Sequence, residues 1–184
     1  KFIQGRPFWE LPVLVQRLCG ICPVSHHLAA AKACDRLVGV DRLTPTAEKV
    51  RRLMHFGQVL QSHALHFFHL SSPDLLFGFD DAVAHRNIVG MIQDHPDIAR
   101  QGVLLRKYGQ EVIRITCGKR IHGTGALPGA VNKSVTAEER DLLRADLLET
   151  DKKITGVIAS VGERTAALNP VLQMLRSDPT WTVA

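Results

Sequence analysis

Arg17-Leu18-Cys19-Gly20-Ile21-Cys22-Pro23-Val24-Ser25-His26-His27 sets two cysteines three positions apart and a histidine four residues beyond the second. The two residues between the cysteines make one tight turn, so both sulfurs can be aimed at a single point. Pro23 suits the first turn of a helix, because the N–H it lacks would have no intrahelical partner there. The spacing predicts a helix that opens at Pro23, runs through the alanine-rich stretch from His26 to Val38 and stops at Gly39. His26 then shares a helix face with Cys22. Cys22 stands just before that helix, where the positive end of the dipole and free N–H groups favour thiolate over thiol. His26 can hydrogen-bond a metal-bound sulfur as an outer partner or, as the second option, bind metal itself.

On the amino-terminal side, Phe8, Trp9, Leu11, Val13, Leu14, Val15 and Leu18 read as a short, largely buried helix from about Pro7 to Leu18. Gly20 is expected to supply the positive φ of the reversal that follows. On the other side, a helix is predicted from about Thr46 to Leu70, with Leu53, Phe56, Leu60, Ala64 and Phe67 as its buried stripe. Arg51, His55, Gln58, Ser62, His66 and His69 fall opposite, and Ser71-Ser72-Pro73-Asp74 breaks the pattern. Further helices are expected over about Ala82 to Gln93 and Pro96 to Cys117, the latter carrying Ile98, Leu104, Leu105, Val112, Ile113 and Ile115. Gly118 to Lys133 is glycine-rich and reads as a loop, and a last helix opens at the capping-box pattern Thr136-Ala137-Glu138-Glu139 and extends towards Arg164. The tail with Pro170, Asp178 and Pro179 carries no assignable element. The fold class is mainly α, a multi-helical single domain over 1–184.

A chain of 184 residues can bury one substantial core, and 45% hydrophobic with 22% charged residues matches a globular protein. No apolar run approaches the ~18 to 20 residues of a spanning helix, so no membrane span is expected. The net charge of +5 is dispersed along helical patterns and aromatics are only 5%, which argues against nucleic-acid binding. The chain opens at Lys1-Phe2-Ile3 without the basic, apolar and small-residue order of a secretory signal, so a segment of a longer cytoplasmic polypeptide is expected. In that compartment the four cysteines, Cys19, Cys22, Cys34 and Cys117, are free thiols or metal ligands rather than disulfides.

A paired cysteine alone leaves several chemistries open. A c-type haem site needs histidine directly after the second cysteine, where Pro23 stands, and is excluded. A structural zinc site lacks its second pair but could borrow distant histidines. A thioredoxin-like dithiol expects a preceding strand, whereas the surroundings here are helical. His63, His66 and His69 drift around a helix without a carboxylate in register and read as a polar stripe. Cys34 and Cys117 read as small buried hydrophobes. His122 and Asn132 sit in the glycine loop, either near a site or bracing the loop, and Arg17 either anchors the cysteine turn or is surface charge.

Arg17, Cys19, Gly20, Cys22 and His26 together form Arg-x-Cys-Gly-x-Cys-x-x-x-His, which resembles the amino-terminal metal motif of nickel-iron hydrogenase large subunits. Ile21 through Ala33 is most similar to the NAD-reducing, bidirectional branch. Ile121-His122-Gly123-Thr124-Gly125-Ala126-Leu127-Pro128-Gly129-Ala130-Val131-Asn132 resembles the family's H-G-x-x-x-x-P-G-G-V-N loop, with Ala130 in place of a glycine. Thr44 to Lys49 and Lys107 to Glu111 also resemble that branch, and the likeness covers about residues 1–145.

The resemblance implies that Cys19 is a terminal nickel ligand, Cys22 bridges nickel to an iron carrying carbon monoxide and cyanide, and His26 tunes the bridging sulfur. It further implies heterolytic cleavage of dihydrogen, an iron-sulfur small subunit, and diaphorase subunits carrying FMN, iron-sulfur clusters and NAD. The family's second cysteine pair lies in a D-P-C-x-x-C motif, and this chain has Asp178-Pro179-Thr180-Trp181 without cysteine. The upstream R-x-E-G-H segment is also missing. The expectation is that this polypeptide alone neither assembles the bimetallic site nor turns over hydrogen. A non-catalytic assembly or interaction module on the same scaffold, or a zinc-stabilised domain, is the alternative.

Overall fold

The computed structural model describes residues 1–146. Within them six named helices follow in order: α1 (Leu11–Val15), α2 (Pro23–Leu37), α3 (Pro45–Leu65), α4 (Ser72–Phe77), α5 (Ile88–Asp94) and α6 (Pro96–Cys117). Two short strands, β1 (Ala126–Leu127) and β2 (Ala130–Val131), pair antiparallel with Ala126 opposite Val131. A further helix runs over 137–146. The expected mainly α fold is what forms.

Local signals set the ends of the long helices. Pro23, Pro45 and Pro96 occupy first turns, and the Thr44 hydroxyl accepts the Ala47 N–H at 3.3 Å. Gly39 and Gly118 end α2 and α6 with φ of +74° and +82°, a conformation in which a Cβ would be strained. Thr136 and Glu139 close the capping box reciprocally, at 3.2 Å and 3.0 Å. The predicted extension of that helix to Arg164 and the tail with Pro170, Asp178 and Pro179 lie outside the described residues.

α3 and α6 pack closely along their lengths. Gly57 and Gly109 make this possible, since a Cβ on Gly109 would stand 2.8 Å from the Gln61 backbone nitrogen and from the Gly57 carbonyl oxygen. Ala64, Phe68 and Leu105 form one core cluster, with Leu60, Phe67 and Ile98 against it; Val112, Ile115 and Leu143 form a second. The third, Val24, Leu28, Ala31, Met54, Ile113, Cys117 and Ala126, joins α2, α3, α6 and the hairpin behind the cysteine turn.

Four expectations are corrected here. The Pro7 to Leu18 segment is broken into 3-10 turns around the five-residue α1 and is not largely buried: Trp9 is 61% and Leu18 78% exposed. The α3 stripe is rotated, with Phe56 exposed and Arg51, Met54, Gln58 and Gln61 buried, because α3 is contacted on both sides and its second side is polar. Ser71-Ser72-Pro73 does not stop the helix. A π-helical turn over His66–Ser71 widens the backbone where the Pro73 ring would clash, and α4 continues to Phe77. The helix placed at Ala82 begins only at Ile88, because the Asn87 side chain caps the Val89 and Gly90 N–H groups.

Candidate metal centre

Cys19 ends a 3-10 turn in extended conformation and Cys22 stands before the first turn of α2. The Cys22 N–H donates to Cys19 Sγ at 3.2 Å, so the turn folds back on its own first sulfur. Gly20 does not take the positive φ expected of it. The sulfurs of Cys19 and Cys22 and a ring nitrogen of His26 lie within 4.8 Å of one another. Among the described residues these three form the one group of cysteine, histidine and carboxylate side chains close enough to share a metal ion.

The electrostatics run against the expectation that Cys22 favours the thiolate. Cys19 is held below its ordinary value, first by the Cys22 thiol and then by the Cys22 and Ile21 backbone N–H groups. Cys22 is pushed up, chiefly by giving its hydrogen bond to Cys19, with burial adding to it. The helix start does not rescue it, because the Cys22 side chain caps no N–H group of α2. Cys19 is therefore the first thiolate.

Three packed elements hold the turn. From α3, the side-chain amides of Gln58 and Gln61 both donate to the Ile21 carbonyl, at 3.0 Å and 2.7 Å. From the glycine loop, His122 Nε2 donates to the Cys19 carbonyl at 3.3 Å, and His122 itself has φ of +54°. From α2, buried His27 donates from Nδ1 to the Pro12 carbonyl at 2.8 Å while its Nε2 accepts the Ala126 N–H at 2.9 Å. Those two bonds define a neutral imidazole with its proton on Nδ1. His27 thereby ties α1, α2 and β1 together one residue from His26.

The hairpin is fixed by buried charge. Arg51 pairs with Asp35 and also donates to the Leu127 and Ala130 carbonyls, at 2.6 Å and 3.0 Å. The Gly129 N–H donates to Asp35 at 2.6 Å, and the Pro128-Gly129 corner takes φ of +76° at Gly129.

Of the residues singled out from sequence, Cys19, Cys22 and His26 come together. Arg17 is exposed and makes no hydrogen bond or ion pair among the described residues. His63 and His66 bond locally, to the Val59 carbonyl and to Ser71, and do not converge with His69. Cys34 and Cys117 are buried. Asn132 lines a cleft with Thr116, Lys119 and His122. Sequence reasoning missed Gln58, Gln61 and His27. The tandem His26-His27 was the available signal for His27, and glutamines on a helix face carry none.

The donor set, two thiols poised against each other with an imidazole beside them, suits a soft, thiolate-preferring transition metal. The chain is similar over residues 1–82 to the nickel-dependent hydrogenase family. With the helical scaffold and the paired cysteines, that match places the likeness among the large subunits of nickel-iron hydrogenases.

It is 52% identical over 146 residues to the NAD-reducing hydrogenase HoxS subunit beta of Cupriavidus necator, covering 77% of this chain and 30% of that protein. A crystal structure of an NAD+-reducing [NiFe]-hydrogenase in the H2-reduced state superposes with a TM-score of 0.86 at 56% identity, over 92% of this chain and 38% of that one. The fold is shared at 24% identity and a TM-score of 0.72 with the Ni-Fe-Se hydrogenase of D. vulgaris Hildenborough, over 91% of this chain and 37% of that one. The chain thus spans about a third of the length of the proteins it matches. No helix among the described residues is long and apolar enough to cross a membrane.

Proposed function

We propose that this chain supplies two thiolate ligands, Cys19 and Cys22, to a nickel-iron centre that reversibly oxidises dihydrogen to protons and electrons. When bound, that centre supplies the redox chemistry and the site of dihydrogen activation. The observation that carries the reading is the convergence of Cys19, Cys22 and His26 within 4.8 Å in a chain whose residues 1–82 are similar to that family.

The resemblance implies a role for each residue, and the geometry is compatible with it. Cys19 would be the terminal nickel ligand, as the resemblance implies, and the N–H···S bond from Cys22 would spread its sulfur's negative charge. Cys22 would be the second thiolate holding the centre, in the bridging role that the resemblance implies. His26 has no hydrogen-bond partner for its ring among the described residues, and a ring nitrogen lies within 4.8 Å of both sulfurs, where it would hydrogen-bond a metal-bound one. Arg17 would add a positive charge beside the turn from an exposed position. Coupling to NAD would run through an iron-sulfur small subunit and diaphorase subunits carrying FMN, as the likeness to an NAD-reducing hydrogenase subunit suggests.

The test is nickel(II) titration of the full chain under anaerobic conditions, followed by thiolate-to-metal charge-transfer absorption. The parent should develop the band, and Cys19→Ser and Cys22→Ser should each abolish it. Retention of the band in both variants, or exclusive binding of zinc, sinks the proposal.

A further inference from the structure

We infer that Gln58 and Gln61 are positioning residues that set the Cys19 sulfur through the single peptide unit between Ile21 and Cys22. The inference rests on the ligand role proposed for Cys19. Both glutamines are buried, at 2% and 4% exposure, and both send their amide N–H groups to one carbonyl, that of Ile21. Gln61 also donates to Gln58 Oε1 at 3.2 Å, which links the two amides.

The Ile21 carbonyl and the Cys22 N–H belong to the same planar unit, and the chain contains no cis peptide bond. In a trans unit the two groups point in opposite directions. Clamping the carbonyl towards α3 therefore aims the N–H at Cys19 Sγ, 3.2 Å away. Rotation of this peptide would break three hydrogen bonds at once: two to oxygen and one to sulfur. Donors on the carbonyl also polarise the peptide and strengthen its N–H as a donor. Between the two cysteines the turn has little else to hold it, since Ile21 exposes 47% of its surface and Gly20 adds no side chain, and the His122 bond falls on Cys19 instead. Burying two primary amides is costly unless they are used, and here both are used on the residue between the cysteines.

Gln61 is in turn fixed by the close crossing of α3 with α6, where Gly109 leaves no room for a Cβ against the Gln61 backbone. A line of contacts thus runs from Gly109 through Gln61 and the Ile21–Cys22 peptide to the Cys19 sulfur.

The experiment uses the 15N-labelled, metal-free full chain with Gln58→Leu, Gln61→Leu and the double variant. In the double variant the Cys22 amide proton should shift upfield and exchange with solvent about tenfold faster, while the Ile113 amide in the core keeps its protection. Nickel(II) affinity, read from the charge-transfer band, should fall about tenfold, with intermediate values in the single variants. An unchanged Cys22 shift and exchange rate in the double variant overturns the inference. So does a general loss of protection across α3 and α6 in either single variant, which would assign the glutamines to folding alone. If nickel affinity is unaffected by Cys19→Ser while the Cys22 amide still responds to the glutamines, the ligand role fails and the clamp stands.

Discussion

Asp35 of α2 and Arg51 of α3 form a buried two-point ion pair, Nη1 to Oδ2 at 2.5 Å and Nη2 to Oδ1 at 3.2 Å. The pair reaches both faces of the hairpin corner, so it fixes the loop that carries His122 as well as the two helices. Removing one partner leaves the other charge buried without compensation, and Arg51→Met should destabilise the chain by about 3 to 5 kcal/mol. Urea melts should register the loss, and hydrogen exchange should show the Gly129 amide opening well before the α6 amides.

Asp35 and His27 give stability an acid dependence in two windows. Burial raises the Asp35 carboxyl, but hydrogen bonds from Arg51 and Gly129 outweigh it and bring its value below 3.8. Its contribution is present above that value and is lost as pH falls through the lowered folded-state value. His27 is pushed below 6.5, first by burial, so its contribution is complete above pH 6.5 and is withdrawn as pH falls from there to its folded-state value. Denaturant melts across this range should show the upper step in the parent and lose it in His27→Gln, which cannot titrate.

His27→Ala should be worse than the loss of a ring's packing. It leaves the Pro12 carbonyl and the Ala126 N–H without the partner that joined them, costing about 2 to 4 kcal/mol. A thermal melt measures the cost, and a preserved melting temperature would contradict the bridge.

Gly109→Ala tests the helix crossing. The added methyl would meet Gln61 and Gly57 backbone atoms at 2.8 Å, neither of which can swing aside. Alanine's helix propensity favours it by roughly 0.5 to 1 kcal/mol, but forced separation of the helices costs about 1 to 3 kcal/mol. Net destabilisation is expected in a chemical melt, with Leu substituted for Gly109 more damaging still.

The four thiols should alkylate in a fixed order. Cys19 is half-buried with its value held low by Cys22 and backbone N–H groups, whereas burial pushes Cys117 up to about 11. Cys34 is raised by burial too, and its thiol donates to the Phe8 carbonyl at 3.4 Å. Brief iodoacetamide treatment near pH 8 with peptide mass spectrometry should find Cys19 labelled first. Cys34 and Cys117 should react only after denaturation.

Much of the helical frame was legible because its signals are local. Pro23 and Gly39 bracket α2, Pro96 and Gly118 bracket α6, and Thr136 with Glu139 announces the helix that follows. The face of α3 was not legible in the same way. Ranking its residues by hydrophobicity put Phe56 inside and Arg51 and Gln58 outside, yet Phe56 is 57% exposed and the two polar residues are buried. Their partners are the Asp35 carboxylate, the hairpin carbonyls and the Ile21 carbonyl, none of which lies on α3. The π turn at His66–Ser71 was hidden for a related reason, since Pro73 reads as a breaker unless the backbone can widen before it.

The amino-acid sequence by itself determined where α2 and α6 start and stop and that Cys19, Cys22 and His26 lie close together, because caps, prolines and short spacings act within a few residues. Only the tertiary structure decided what holds the cysteine turn. The holding contacts span 37, 40 and 103 residues of chain. They exist because α3, α6 and the glycine loop pack at distances that bring an amide, an N–H or an imidazole within hydrogen-bonding reach of one carbonyl or one sulfur.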